Sequence, residues 1–517
     1  MNDTVEFILP GNVPTSEVEK FFTGQFAAAR GPEYSATLRF HDTFDWRLYR
    51  AGWVLEEATR GRRGVVGCYN RRTGDHVSIP VTGRLRHLHE LGGLQEERDL
   101  RGVVGLRALI AQAQLPVRVS EIKLLNDDQK TVVHCRVGQY QAPDAAEANS
   151  EFTAIRLLGL RGYTAELRIA AARIASATNT TQRECAVLHR TMEVLGQTLD
   201  EHAVKPHIRL PPSATALQWM SAICTRLVDV MVSNEAGIVQ DIDTEFLHDF
   251  RVAVRRTRSA LGQIRGVYKT ESITRFSSEF AWLGQVTGPL RDLDVFLLHF
   301  DELRASVPVE LHDGLQGFND YLRGQRIRER RRILKHLRGE RYHSLVEDWR
   351  CFLAEPGTRH RGGAAGQTVV PVAREHTLRI WRRVLKQGRC INDSSPPQAL
   401  HDLRISCKKL RYMLEFFTPL QTAGNAGHLT RRLRRLQENL GDFQDCSVQI
   451  ETLYNIAHQT AWDQPDTVLA LGALIQQATD RGTAARQDFH RRFQSFDTRS
   501  TARLFERLFA QTQIKVA

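Results

Sequence analysis

The sequence predicts two unlike domains, an antiparallel β-barrel-like domain followed by an all-α bundle of two tandem repeats, so that the whole is an α+β multidomain chain. Three observations predict this. Residues 1 to about 175 break into short runs of β-branched and aromatic residues separated by turn formers. From residue 213 onward the apolar residues recur with the 3.6 period of helices. In that second part a basic stretch is written twice, at an offset of 153 residues.

At 517 residues the chain has room for two or three domains, each with its own core. Its composition, 42% hydrophobic and 25% charged, is that of a globular protein. No run approaches the roughly 18 apolar residues of a membrane span, and the opening Met1-Asn2-Asp3-Thr4-Val5-Glu6 is no secretory leader. A cytoplasmic chain with no membrane partner is expected. The cysteines, at 68, 135, 185, 224, 351, 390, 407 and 446, are scattered without a Cys-x-x-Cys pair. Neither a disulfide frame nor a zinc site is indicated, and no metal or cofactor is expected. The formal charge of +12 is uneven: residues 1–210 carry a net +2 and residues 211–517 a net +10. An anionic partner therefore belongs to the second part.

In the first part, strands are expected at Thr4–Leu9, Ala36–Phe40, Trp53–Glu57, Gly64–Tyr69, His76–Pro80, Val117–Leu125, Thr131–Gln139, Phe152–Leu158 and Ala165–Ile169. Arg72-Thr73-Gly74-Asp75, Asn126-Asp127-Asp128 and Gly159 through Gly162 supply the turns. Helices are expected at Ser16–Ala29 and Leu100–Gln112. The stretch His41-Asp42-Thr43-Phe44-Asp45-Trp46-Arg47-Leu48-Tyr49-Arg50-Ala51-Gly52 resembles the "Y-D-T-x-x-x-x-L-x-x-x-G" segment of the CYTH fold, that of the triphosphate tunnel metalloenzymes. Members of that family open their first strand with Glu-x-Glu-x-Lys, two metal-binding carboxylates and a phosphate-binding lysine. Aligned on Leu9-Pro10, those positions here hold Asn2, Thr4 and Glu6; aligned on Glu6 instead, the lysine position holds Ile8. The resemblance thus implies the fold while the substitutions argue against the activity, because a metal–triphosphate site needs several carboxylates beside several cations. Residues 176–212 read as a helical connector, with a helix capped by Thr180 or Thr181 and running to about Leu199, broken by Lys205-Pro206 and Pro211-Pro212.

Residues 213–517 read as two repeats, about 213–365 and 366–517. Helices are expected at about 213–236, 243–267, 272–286, 289–302, 309–335, 341–353, 366–388, 397–416, 427–439, 443–459, 465–494 and 499–513. The doubled stretch is His248-Asp249-Phe250-Arg251-Val252-Ala253-Val254-Arg255-Arg256-Thr257-Arg258 and His401-Asp402-Leu403-Arg404-Ile405-Ser406-Cys407-Lys408-Lys409-Leu410-Arg411. At about 100° per residue, His248, Arg251, Arg255 and Arg258 share one face, as do His401, Arg404, Lys408 and Arg411. Apolar residues take the other face. Stacked like charges repel, and a face built for stability would intersperse acids; only Asp249 and Asp402 interrupt here. Two such stripes suggest a cleft in which they face each other across a polyanion. The offset persists beyond the helix: Arg226 answers Arg379, Gly288 answers Gly441, and Asp292 answers Asp445.

The segments LHDFRVAVRRTRSAL (247–261), LHDLRISCKKLRYMLE (400–415) and GPLRDLDVF (288–296) resemble the signatures of the CHAD domain. The resemblance implies inorganic polyphosphate binding in a basic cavity between two helical halves, without catalysis; a scaffold associated with polyphosphate granules is the expectation built on it. Carried over to this chain, it implicates His248, Arg251, Arg255, Arg256, Arg258, His401, Arg404, Lys408, Lys409, Arg411, Arg226 and Arg379. Cations on Arg326, Arg328, Arg330, Arg331, Arg332 and Lys335, and on Arg431, Arg432, Arg434 and Arg435, are candidates to widen the groove. Two alternatives remain open. One is a metal-dependent triphosphatase rebuilt from residues such as Glu56, Glu57, Glu121 and Lys123. The other, less favoured, is nucleic-acid binding, suggested by pI ≈ 9.5 but lacking aromatics interleaved with the cations for base stacking.

Overall fold

The computed structural model describes residues 4–508, apart from 62, 74–75, 83–84, 92–96, 143–150, 184, 198–209, 355–356, 358–359, 422–424 and 460–464. Asn2, the Gly74-Asp75 turn, Lys205-Pro206 and the end of the helix expected to reach Leu199 lie outside the described residues. The chain divides into two compact units, Met1–Ala203 and Val204–Ala517.

The first unit is an eight-stranded antiparallel sheet: β1 (Thr4–Ile8), β2 (Ala28–Asp42), β3 (Trp53–Arg60), β4 (Arg63–Asn70), β5 (His76–Thr82), β6 (Ile110–Leu125), β7 (Thr131–Gln141) and β8 (Glu151–Gly159). The strands lie in the order β1-β8-β7-β6-β2-β3-β4-β5. An antiparallel sheet is what the sequence predicts, but its hydrogen-bond ladder stays open, with β1 and β5 as edges among the described residues. Closure comes instead from side chains, since Arg156 on β8 reaches Glu56 on β3, four places away in the sheet.

Helices α1 (Thr15–Gln25), α2 (Arg47–Ala51), α3 (Glu97–Val104), α4 (Thr164–Thr178) and α5 (Ala186–Val194) complete this unit. The strand expected at Ala165–Ile169 is the start of α4, whose buried Leu167, Ala170, Ala171 and Ile174 follow helical spacing. The helices expected at Ser16–Ala29 and Leu100–Gln112 are shorter, because β2 and β6 begin earlier than their apolar runs. These two strands pair with each other from Ala28 to Asp42, across a bulge at Arg30/Glu33 beside Gly31-Pro32. The stretch read as a connector holds α5. Its Val187, Leu188 and Met192 join the cluster of Leu38, Phe40, Val54, Leu115, Tyr140 and Phe152, so apolar burial draws α5 into the first unit. The Asp42-Thr43 motif is a structural corner, in which Asp42 accepts the N–H groups of Thr43, Leu48 and Tyr49. Burial nevertheless pushes its pKa up to about 6.

The second unit is helical. Its first repeat runs α6 (Ala216–Ser233), α7 (Glu235–Gln240), α8 (Thr244–Gln263), α9 (Thr270–Val286), α10 (Gly288–Leu298), α11 (Phe300–Ala305), α12 (Gly314–Leu337) and α13 (Glu340–Ala354). The second runs α14 (Val369–Cys390), α15 (Pro397–Phe416), α16 (Asn425–Gln459), α17 (Pro465–Phe496) and α18 (Arg499–Arg507). Shifting Thr244–Gln263 by 153 residues gives Pro397–Phe416, so α8 and α15 correspond end to end. The repeats meet reciprocally: Ala216 donates its N–H to Gln367 O (2.8 Å) and Val369 donates to Ala214 O (3.0 Å). Each bond is the other shifted by 153 residues, as a pseudo-twofold requires. The repeats differ at Gly288-Pro289, where the proline lacks an N–H and separates α9 from α10. Gly441 has no proline after it, and α16 runs on as one helix where a break was expected.

Candidate functional site

Helices α8 and α15 pack on one another through their doubled segments. Phe250, Ala253, Thr257, Ala260 and Leu261 of α8 are buried, as are Leu403, Cys407, Leu410, Met413 and Leu414 of α15. The apolar faces therefore fix the rotation of both helices and leave the basic stripes on the same side. The Nε of Arg255 donates to the Tyr412 hydroxyl across the contact (2.7 Å). Arg404 Nη2 lies 3.2 Å from Asp445 Oδ1. Its twofold counterpart Arg251 faces Asp292 and has Arg255 and Arg291 as like-charged neighbours.

Lys408 is the group most affected. Burial, and then the charges of Arg404 and Arg255, push its ammonium down to about 7, against the attraction of Asp445 and with Arg411 adding further repulsion. Burial likewise lowers Arg404, with Arg255 adding to the effect and Asp445 opposing it. Arg251 is additionally anchored, donating through Nη1 to Gly284 O and Thr287 Oγ1 (both 2.9 Å). Glycines make room for the stripe, since a Cβ at Gly284 would lie 3.2 Å from Arg258 Nη1 and one at Gly288 would lie 3.6 Å from Arg251 Nη1. His401 Nδ1 meets Gln444 Oε1, and His248 is half-buried near the start of α8.

A different cluster fills the interior of the first unit. Arg156 Nε donates to Glu6 Oε1 (2.8 Å), and its two terminal nitrogens donate to the two oxygens of Glu56 (2.5 and 2.6 Å). The other oxygen of Glu6 accepts the N–H of Val187 (3.0 Å). Burial raises Glu56, but the Arg156 guanidinium outweighs it and holds the carboxyl below its ordinary value. Beside this triad lies a cavity of about 270 Å³ whose lining includes Tyr34, Glu56, Arg60, Tyr69, His76, Glu121, Arg136 and Arg156.

The family model of the CHAD domain matches residues 222–454. Residues 222–454 are a CHAD domain. The crystal structure of the CHAD domain from the plant Ricinus communis is similar at 24% identity, covering 54% of this chain and 94% of that one, with a TM-score of 0.47. PptA from Streptomyces chartreusis is similar at 16% identity, covering 54% of this chain and 100% of that one, with a TM-score of 0.44. A Hippeastrum protein reported to have a dominant triphosphatase activity is similar at 8% identity, covering 38% of this chain and 97% of its own, with a TM-score of 0.27. No curated protein matches the chain.

The CHAD domain does not gather all the expected cations at one place. Arg251, Arg255, Arg404, Lys408 and Arg411 lie within one another's fields. Arg258 is exposed beside Gly284. Arg256 is 6% exposed and donates to Glu415 (2.6 Å), which makes it a pin between the repeats. Lys409 faces Arg383 and Arg265 instead. Arg226 is half-buried on α6, and Arg379 is exposed on α14 and bonded to Glu375. Two cations expected to widen the groove are tied up: Arg326 bonds Asp241 and Asp294, and Arg330 lies 3.4 Å from Asp241. Arg432 donates to the hydroxyls of Thr498, Ser500 and Thr501. From His401 and Arg404 a groove of about 1230 Å³ continues among α10, α11, α16 and α17, where Asp292, Glu302, Glu438, Asp442, Asp445 and Asp488 outnumber Arg481 and Arg492. Along this groove the surplus of cations is therefore at its α8–α15 end.

Sequence reasoning did not find Arg156. The signal was period-2 alternation on β8, which puts Arg156 on the face of Phe152 and Ala154, where a lone charge needs buried partners. Of the residues offered for a rebuilt metal site, Glu56 and Glu121 line the cavity with three arginines, but Glu57 pairs with His41 (2.8 Å) and Lys123 is exposed. Glu6 and Glu56 converge on a guanidinium, and the described residues hold no group of three or more His, Cys, Asp or Glu arranged for a metal. The metal implied by the CYTH resemblance does not fit this interior.

Replacing Arg156 with Met strands two buried carboxylates, so stability of the first unit at neutral pH is expected to fall by about 3–5 kcal/mol. An unpaired buried carboxylate takes up a proton, so the deficit shrinks as the pH falls. Urea denaturation of variant and wild type at neutral and acid pH checks both the loss and its direction.

Proposed function

We propose that the CHAD domain binds inorganic polyphosphate along the α8–α15 face and performs no chemistry on it, and that this binding associates the chain with polyphosphate granules. The observation that carries this reading is the convergence of Arg255, Arg404 and Lys408, where burial first and then the neighbouring charges push the Lys408 ammonium down to about 7. Like charges held together with so little acid are costly alone and become favourable around a polyanion. Arginine forks grip phosphate oxygens with two donors, and each neutralised phosphate releases a counterion. Nucleic acid shares that backbone chemistry, but Tyr412, the aromatic nearest the stripe, is 2% exposed and engaged with Arg255, so it offers no stacking platform.

Both repeats contribute to one face, so both halves are expected to count. Charge-assisted contacts are worth roughly 1.5–3 kcal/mol each. Arg255→Ala with Arg258→Ala, and separately Arg404→Ala with Lys408→Ala, should each weaken long-chain polyphosphate binding by about tenfold or more. Titration calorimetry across a salt series measures this, with a shallower salt dependence for each variant. Affinities equal to wild type in both folded double variants contradict the reading.

Lys408 adds a pH dependence. Its pKa in the free protein is depressed, so it is largely neutral above about 7, and an arriving polyanion must restore its proton. Affinity should therefore fall as the pH rises through 7, with proton uptake on binding at alkaline pH. Lys408→Arg, which stays charged, should flatten that profile. Calorimetry in buffers of different ionisation enthalpy counts the protons.

A further inference from the structure

The pseudo-twofold is broken at one charged position. Arg256 of α8 donates to Glu415 of α15 (2.6 Å). Shifted by the repeat, that pair becomes Lys409 and Gly262, and glycine brings no carboxylate; a Cβ at Gly262 would meet nothing within 4 Å. Lys409 stands about 100° around α15 from Lys408, and its charged neighbours are Arg383 and Arg265, which, after burial, depress its pKa. The Arg265 carbonyl fixes its surroundings further. That oxygen can only accept, so His376 Nε2, 3.1 Å away, carries the ring proton, and His376 Nδ1 accepts from Arg379 Nη1 at 3.2 Å. Burial, and then the Arg379 charge, lowers the His376 pKa and keeps the ring neutral in this role.

Arg265, Arg379, Arg383 and Lys409 thus surround the end of α8 where it meets α14 and α15. Glu375, bonded to Arg379, is the acid described among them. The matching positions of the other repeat are Thr418, Arg226, Val230 and Arg256, with Glu415 as acid. Counted over these residues, one side of the twofold carries a net +1, and the other a net +3 around a half-buried lysine.

We propose that Arg265, Arg379, Arg383 and Lys409 form a second anion site, which takes a phosphate-chain segment independently of the α8–α15 face. Only the identity of the ligand rests on the function proposed above. The site is held by separate residues, so the two can fail separately.

The test is calorimetric titration of the full chain with inorganic tripolyphosphate, using Lys409→Ala with Arg383→Ala against Arg255→Ala with Arg258→Ala. The expected stoichiometry is two per chain for wild type and one for each double variant. Lys409→Arg should retain two, and circular dichroism melts control for folding. A wild-type stoichiometry of one, lost in the Arg255/Arg258 variant and kept in the Lys409/Arg383 variant, overturns the second site. The converse pattern upholds it and overturns the proposed face. Binding of single-stranded DNA at the second site as tightly as tripolyphosphate overturns its assignment to phosphate chains.

Discussion

The packing of α8 on α15 is the constraint on which the site depends. Their apolar faces bury Phe250, Leu261, Leu403 and Leu410, and that burial sets the rotation that brings Arg255 against Tyr412 and into the fields of Arg404 and Lys408. The hydrophobic contact holds together cations that would otherwise separate. Duplication makes this economical, since one amphipathic helix written twice supplies both the core and both halves of the face. The Arg256–Glu415 ion pair pins the same contact from inside and takes one cation out of reach of a ligand.

The two units handle buried charge in opposite ways. In the first, Arg156 is matched by Glu6 and Glu56, and the cluster is complete without a ligand. In the CHAD domain the cations outnumber the acids around them, and Lys408, through burial first and then its cationic neighbours, holds its proton less tightly. A matched cluster joins distant strands of a sheet. A mismatched one has chemistry left to do. The same contrast separates the two sides of the pseudo-twofold, where Glu415 answers Arg256 and nothing at Gly262 answers Lys409.

Much of this was legible in the sequence, because it depends on periodicity. The limits of α15 follow from Pro396-Pro397 and from apolar spacing, and the repeat offset places α8 and α15 in register. What periodicity does not encode was missed or blurred. Arg256 carries the same motif position as Lys409, yet Glu415 buries one while the other stays half-exposed. The reach of Arg156 to Glu56 spans 100 positions of sequence and needs the curl of the sheet to be seen. At α4, five residues were too few to separate helix from strand, and Ala170, Ala171 and Ile174 decide it by burial.

The central claim is that the α8–α15 face holds its cations under mutual repulsion until a polyanion relieves it. An NMR titration of the Lys408 ammonium, with and without long-chain polyphosphate, tests this directly. The account predicts a pKa of about 7 in the free protein and a rise on binding. A value near the ordinary 10.5 in the free protein, unmoved by polyphosphate, would contradict it.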